Sequence, residues 1–214
     1  PDTEIISVPG GLVLPGFQDA HVHPYIAGLD HFDCDMLEIE AVPAAYAARA
    51  RECYEQMTER AWITGAGWNP TAFGAEPRPG RSLLDDAVPD KPAVFFSNDG
   101  HTAWVNSLAL AAAGIGRDTP DPPNGRIDRD PVTGQPSGSL QEAAMLMMRA
   151  LLPSPPPAQR EAAMIHMRNY LHSLGITAIQ VAYASIDADD PVQALATYRD
   201  FADRDELELR TVIS

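Results

Sequence analysis

Asp19, His21 and His23 occupy alternate positions in the stretch Leu14-Pro15-Gly16-Phe17-Gln18-Asp19-Ala20-His21-Val22-His23-Pro24. Pro15-Gly16 is a turn signal. In a strand, alternate side chains share a face, so Phe17, Asp19, His21 and His23 point one way, while Ala20 and Val22 point the other way, into packing. Pro24 has no N–H for a ladder and is placed to end the strand. Two neutral imidazoles on one face suit two bonds to a single divalent cation, zinc above all, at about 2.0–2.1 Å each. Asp19 is placed to orient one of them as an outer carboxylate. A plain surface pair of histidines is the competing reading of the same motif.

A second polar group follows an apolar segment. Pro92-Ala93-Val94-Phe95-Phe96-Ser97 exits into Asn98-Asp99-Gly100-His101, and Gly100 permits a sharp turn that presents the imidazole. Asp99 and Asn106 serve equally well as turn and helix-packing residues. Glu142 ends Ser139-Leu140-Gln141-Glu142, a capping box in which its carboxylate would reach back to the Ser139 N–H at a helix start. His166 and His172 are six apart on a helix and share no face, and His31 has no evident partner. Met145, Met147 and Met148 read as adaptable core. The chain holds no Gly-rich phosphate loop, no Gly-x-Ser-x-Gly nucleophile elbow and no Cys-x-x-Cys.

The first stretch resembles the first-strand signature of the amidohydrolase superfamily, metal-dependent hydrolases built on a TIM barrel. Ser97-Asn98-Asp99-Gly100-His101-Thr102-Ala103-Trp104-Val105-Asn106-Ser107-Leu108-Ala109-Leu110 resembles the Asp-Gly-His-x-Ala-Trp-x-Asn-x-x-Ala-Leu block of amidohydrolase family 3, the branch that includes N-substituted formamide deformylase. The resemblance runs over nearly the whole chain. It implies an α/β fold, a partial (β/α) TIM barrel preceded by the end of a small β-sandwich. Residues 1–15 would be the sandwich remnant and 16–214 the N-terminal part of the barrel, with a flap-like excursion at about 114–138.

The implied reaction is hydrolysis of an amide or formamide C–N bond by water activated on a divalent metal, expected to be zinc. His21 and His23 would hold the metal, and Glu142, in a Leu-x-Glu-x-Ala stretch, would approach it. His101 and Asp99 would be catalytic; Trp68, Asn98 and Trp104 would line the substrate pocket. TIM barrels gather their sites at the C-terminal ends of strands. His21 and His23 end the first expected strand, Trp68 and Asn69 the second, Asn98, Asp99 and His101 the third, and Gln180 and Tyr183 the fourth. One departure is Val181, where the family's Gly-Ile-Thr strand runs on to an aspartate. The remaining histidines and the general-base aspartate are expected beyond Ser214, so the chain reads as the inactive front part of a longer enzyme. The alternative is a non-catalytic partial barrel that serves assembly or metal binding only.

The elements that must position these residues follow from periodicity and punctuation. Barrel strands are expected at 17–23, 62–68, 92–97, 176–182 and 207–213, with two shorter strands at 5–8 and 12–14. Residues 24–42 read as a loop. Helices are expected from Pro43 to Met57, from Leu83 to Val88, from Trp104 to Ala113, from Leu140 to Leu151, over 158–174 with Met164, Met167, Leu171 and Leu174 facing inward, and from Pro191 to Asp203. Residues 114–138 carry turn signals at Asn124-Gly125 and Thr133-Gly134, which suit a hairpin or flap. Strand-helix-strand repetition in the second half points to a parallel sheet with outer helices.

Composition narrows the partners. The 214 residues carry 30 Asp+Glu against 15 Lys+Arg, a net charge of −15. That balance argues against nucleic acid, which needs a basic footprint, and against anionic membrane surfaces. No apolar run approaches the roughly 20 residues of a membrane span. Two cysteines, Cys34 and Cys53, make no disulfide framework; read as separate thiols, they fit a reducing, cytoplasmic setting. The expected partners are a small amide-type substrate and, through exposed barrel edges, a second copy of the chain.

Overall fold

All five expected barrel strands form, but they divide between two sheets. A computed structural model describes residues 3–74, 79–182 and 191–214. The order is β1 (Phe17–Val22), α1 (Pro24–Asp30), β2 (Cys34–Asp35), α2 (Pro43–Gln56), β3 (Ile63–Trp68), a 3₁₀ turn at Pro70–Phe73, α3 (Arg81–Ala87), β4 (Ala93–Ser97), β5 (Thr102–Val105), α4 (Ser107–Ala112), β6 (Gly125–Arg129), β7 (Pro136–Glu142), α5 (Ala143–Arg149), α6 (Pro157–Ser173), β8 (Ile176–Val181), α7 (Pro191–Asp203) and β9 (Arg210–Ile213). β1, β8 and β9 form a parallel three-stranded sheet in that order. The other sheet has six strands in the order β2-β3-β4-β5-β7-β6. No closed barrel exists among the described residues.

The three-stranded sheet is covered by α1, α6 and α7. Tyr25, Met164, Leu171, Ile179, Val181 and Phe201 are its buried centre. α1 lies close on α6 because Gly28 has no Cβ; one built there would meet the Ala163 carbonyl oxygen at 2.6 Å. Leu174, expected on the inner face of α6, is 49% exposed beyond the helix end.

The six-stranded sheet is parallel from β2 to β4 and antiparallel from β4 onward. Both its faces are covered, so β4 is apolar without alternation, as a strand buried on both sides should be. Phe95 packs on one side with Tyr46, Trp68 and Trp104; Val94 and Phe96 pack on the other with Val105, Leu140 and Met148. The antiparallel switch corrects two expected helices. Trp104 and Val105 belong to β5, where an aromatic and a β-branched side chain fit a pleated buried surface. The helix starts only after Asn106, whose Oδ1 accepts from the Ala109 amide 2.9 Å away. Ser139 caps no helix: it pairs with Trp104 across β5 and β7, and α5 begins at Ala143. The expected hairpin in the 114–138 excursion forms from β6 and β7; Ile127 and Leu140 anchor it in the core.

Three further expectations are corrected. Residues 24–42 contain α1 and β2, not only loop. Residues 3–16 form no strand, and Ile5, Ile6, Leu12 and Val13 are 76–89% exposed, because no described edge pairs with them. Cys34 and Cys53 are not separate thiols: they are joined in a disulfide, with Cα atoms 5.8 Å apart where β2 packs on α2. Both are fully buried, and the compartment argument drawn from free thiols falls with them. No helix among the described residues is long and apolar enough to cross a membrane.

Candidate active site

His21 is the penultimate residue of β1 and His23 follows the strand. Pro24 ends the strand by opening α1; His23 is its N-cap residue and its carbonyl accepts from the Ala27 amide at 3.0 Å. Both imidazoles are exposed, as suits β1 at the edge of its sheet. Asp19 accepts from the backbone N–H of His21 at 3.0 Å, so it shapes the strand end. An imidazole bound through nitrogen has its ring centroid about 3.2 Å from a zinc ion, and two such rings at a tetrahedral angle lie about 5.2 Å apart. The rings of His21 and His23 are 5.2 Å apart and almost perpendicular, at 88°. That centroid separation equals the spacing of two rings on one tetrahedral ion. Among the described residues, no group of three or more His, Cys, Asp or Glu side chains is arranged to hold a metal ion.

Glu142 accordingly does not complete a metal cluster with the two histidines. It lies at the far end of β7, where its Oε2 is 3.1 Å from Nδ1 of His101. A carboxylate only accepts, so in the neutral ring this contact favours the proton on Nδ1 and leaves Nε2 as the acceptor. Glu142 also donates its backbone N–H to the His101 carbonyl at 2.9 Å. The hydrogen bond to Glu142, then its charge, raises the pKa of His101 above the usual imidazole value. The backbone of Glu142 is unusual: φ is 51° and ψ is −124°. Such a conformation in a non-glycine residue costs on the order of 1–3 kcal/mol and persists only where the surroundings enforce it.

Asp99 builds the turn that carries His101. Its Oδ1 accepts from the Ser97 hydroxyl at 2.6 Å and from the His101 amide at 3.0 Å. Gly100 supplies the positive φ of 76°. Asn98, exposed, donates its amide to the Trp68 carbonyl at 2.9 Å. Trp68 and Trp104 face no open cleft. Both are fully buried, with indole N–H groups donating to the Phe95 and Gly80 carbonyls at 2.8 and 3.1 Å. Asn106 is buried as well and spends its amide on Val88 and Lys91 carbonyls at 3.1 and 2.8 Å. Of the fourth expected strand end, Gln180 is exposed on β8, and Tyr183 lies outside the described residues.

Two features had no visible signal in the sequence. His31 stacks on His166 with ring centroids 3.7 Å apart, a pairing between α6 and the residue after α1; burial first, then His31, lowers the pKa of His166. Asp30 lies in a cavity of about 380 Å³ between α1, β3, α5 and the 152–156 segment. Burial there pushes its carboxyl up to about 6 against the opposing pull of Arg149.

The model of the amidohydrolase family matches residues 4–214. The chain belongs to the amidohydrolase family. It is 36% identical over 154 residues to YtcJ of Bacillus subtilis, covering 72% of this chain and 29% of that protein. It is 32% identical over 152 residues to an N-substituted formamide deformylase of Arthrobacter pascens, covering 70% of this chain and 28% of the deformylase. The chain thus spans less than a third of the length of these amidohydrolase relatives. Among solved structures, an uncharacterized metal-dependent hydrolase of Pyrococcus horikoshii superposes with a TM-score of 0.59 at 18% identity, over 93% of this chain and 36% of that one. At that identity the likeness speaks for the fold.

Proposed function

We propose that this amidohydrolase chain is part of a metal-dependent hydrolase of amide or formamide C–N bonds, with His21 and His23 as two ligands of its divalent ion. The observation that carries the reading is the imidazole pair at the end of β1, spaced 5.2 Å as two ligands of one tetrahedral ion would be. An ion held there, zinc by its taste for nitrogen donors, supplies an acidified water and polarises a carbonyl oxygen. His101 contacts the substrate through its bare Nε2. Asp99 acts through the turn it builds, and Asn98 is exposed at the start of that turn. Trp68 and Trp104 support this edge from beneath.

The three parallel strands β1, β8 and β9 are read as consecutive staves of a (β/α) barrel. The six-stranded sheet is then an insertion between the first and second staves, and residues 1–15 belong to a preceding sandwich. Typical catalytic zinc sites use three protein ligands, so further donors come from outside the described residues. The 214-residue chain is accordingly expected to bind metal weakly and to show no turnover alone. The test is metal analysis with amide and formamide hydrolysis assays on this chain and on a His21→Ala variant. Bound metal lost on substitution supports the reading. Metal content unchanged in the variant would sink it, and turnover by the short chain would overturn the ligand count.

A further inference from the structure

Glu142 stands on a sharp turn from strand β7 into helix α5, with φ 51° and ψ −124°. Strand-to-helix elbows of this kind thrust one side chain out at the end of a sheet, and in hydrolases of another fold they carry the nucleophile. Here the chain enforces the elbow from three sides. Gly125 pairs with Glu142 in the β6–β7 ladder. A Cβ at Gly125 would lie 2.4 Å from the Ala144 nitrogen and 2.9 Å from the Ala143 carbonyl carbon, so only glycine lets the turn close. The Ala143 amide donates to the Asn124 carbonyl at 3.2 Å, and the Glu142 amide to that of His101 at 2.9 Å. The carboxylate so delivered meets Nδ1 of His101 at 3.1 Å, while the His101 side chain remains 63% exposed.

We propose that the elbow makes Glu142 a positioning residue, which fixes the neutral His101 as the Nδ1–H tautomer and leaves Nε2 as a hydrogen-bond acceptor for the N–H of a bound amide. Glu142 touches no substrate; it acts through His101. An unstrained surface pair would need neither the elbow nor Gly125. The role assigned to Nε2 rests on the hydrolase reading, but the tautomer does not.

The test is ¹⁵N NMR of the His101 ring in the 214-residue protein above its titration, with Glu142→Gln, Glu142→Asp and Gly125→Ala variants. A free neutral imidazole favours the Nε2–H form; the native ring is expected to be Nδ1–H by at least about tenfold. Glu142→Gln is expected to remove that preference and Glu142→Asp to restore part of it. Gly125→Ala is expected to remove it with the carboxylate still present; if that variant does not fold, the two Glu142 variants decide. An Nε2–H ring in the native protein, or equal tautomer ratios in native and Glu142→Gln, would overturn the proposal. So would loss of bound zinc on Glu142→Gln, since it would make Glu142 a ligand. If the protein proves not to hydrolyse amides while the tautomer result stands, the functional reading fails and the positioning holds.

Discussion

The two histidine sites of this chain are held in opposite ways. His21 and His23 end an edge strand, are exposed, and receive from Asp19 only a bond to the His21 backbone. His101 is gripped by Glu142 at ring and backbone and stands on a turn knotted by Asp99, Ser97 and Gly100. The first arrangement suits ligands, whose geometry is completed by the bonds of an ion. The second suits an acid–base group, which must be aimed before anything binds. What separates them is the scaffold: one pair hangs on a three-stranded sheet, the other on a six-stranded sheet buried on both faces.

That contrast breaks first at Trp104. If the indole is scaffold beneath the His101 turn, Trp104→Ala should lower stability by about 3–5 kcal/mol, the usual cost of emptying an aromatic core site. Urea unfolding measures it. A loss below about 1 kcal/mol would return Trp104 to the substrate-contact role. Next comes the disulfide at the β2 edge of the same sheet. Its closed loop, with a sequence separation of 19, should contribute about 3 kcal/mol. Cys53→Ala is expected to lower the melting temperature accordingly, read against native protein without reductant.

The His21–His23 pair should respond differently. His21→Ala is expected to cut zinc affinity by at least about 100-fold, at or beyond the 10–100-fold cost of losing an outer partner. Melting temperature without metal should stay nearly unchanged, because an exposed ring on an edge strand supports little packing. Glu142→Gln should leave zinc affinity within about threefold. Calorimetric titration of both variants compares the two sites directly; equal losses would erase the distinction.

How far the sequence carried this picture depended on whether a signal was local. Alternation at Asp19, His21 and His23 located a strand end and brought its two imidazoles together, because period two is written in adjacent residues. The helix at Pro43 was legible from its first-turn proline, and α6 from the helical spacing of Met164, Met167 and Leu171. Two things were not. Leu140, Ala144 and Met148 have helical spacing, yet Leu140 sits in a strand that also pairs with Trp104's strand, which is remote in sequence. The capping-box reading of Ser139 and Glu142 failed for the same reason: pairing with β5 outweighed a local cap. Gly125 and the Ala143-Ala144 pair were the available hint of a tight elbow at Glu142. The disulfide was equally hidden, since two cysteines carry no pattern until β2 and α2 pack.

The smallest effect concerns Asp30, which closes the helix that His23 opens and so reports on how firmly the segment after His23 is built. Burial pushes its carboxyl up to about 6 in the fold, above the ordinary carboxylate value of 3.8. The folded state therefore holds its proton to higher pH than the unfolded state does. Below 3.8 both forms are protonated and Asp30 contributes no pH dependence. Between 3.8 and about 6 the native protein binds more protons, so stability falls as pH rises. Above about 6 the cost is complete, at most about 3 kcal/mol with the pull of Arg149 already included. Asp30→Asn should remove this slope and gain about 1–2 kcal/mol at pH 8, with little change at pH 4. Urea midpoints at the two pH values give the answer. A native-like slope in the variant would mean that Asp30 is hydrated, and that the joint between α1 and the six-stranded sheet is looser than its cavity suggests.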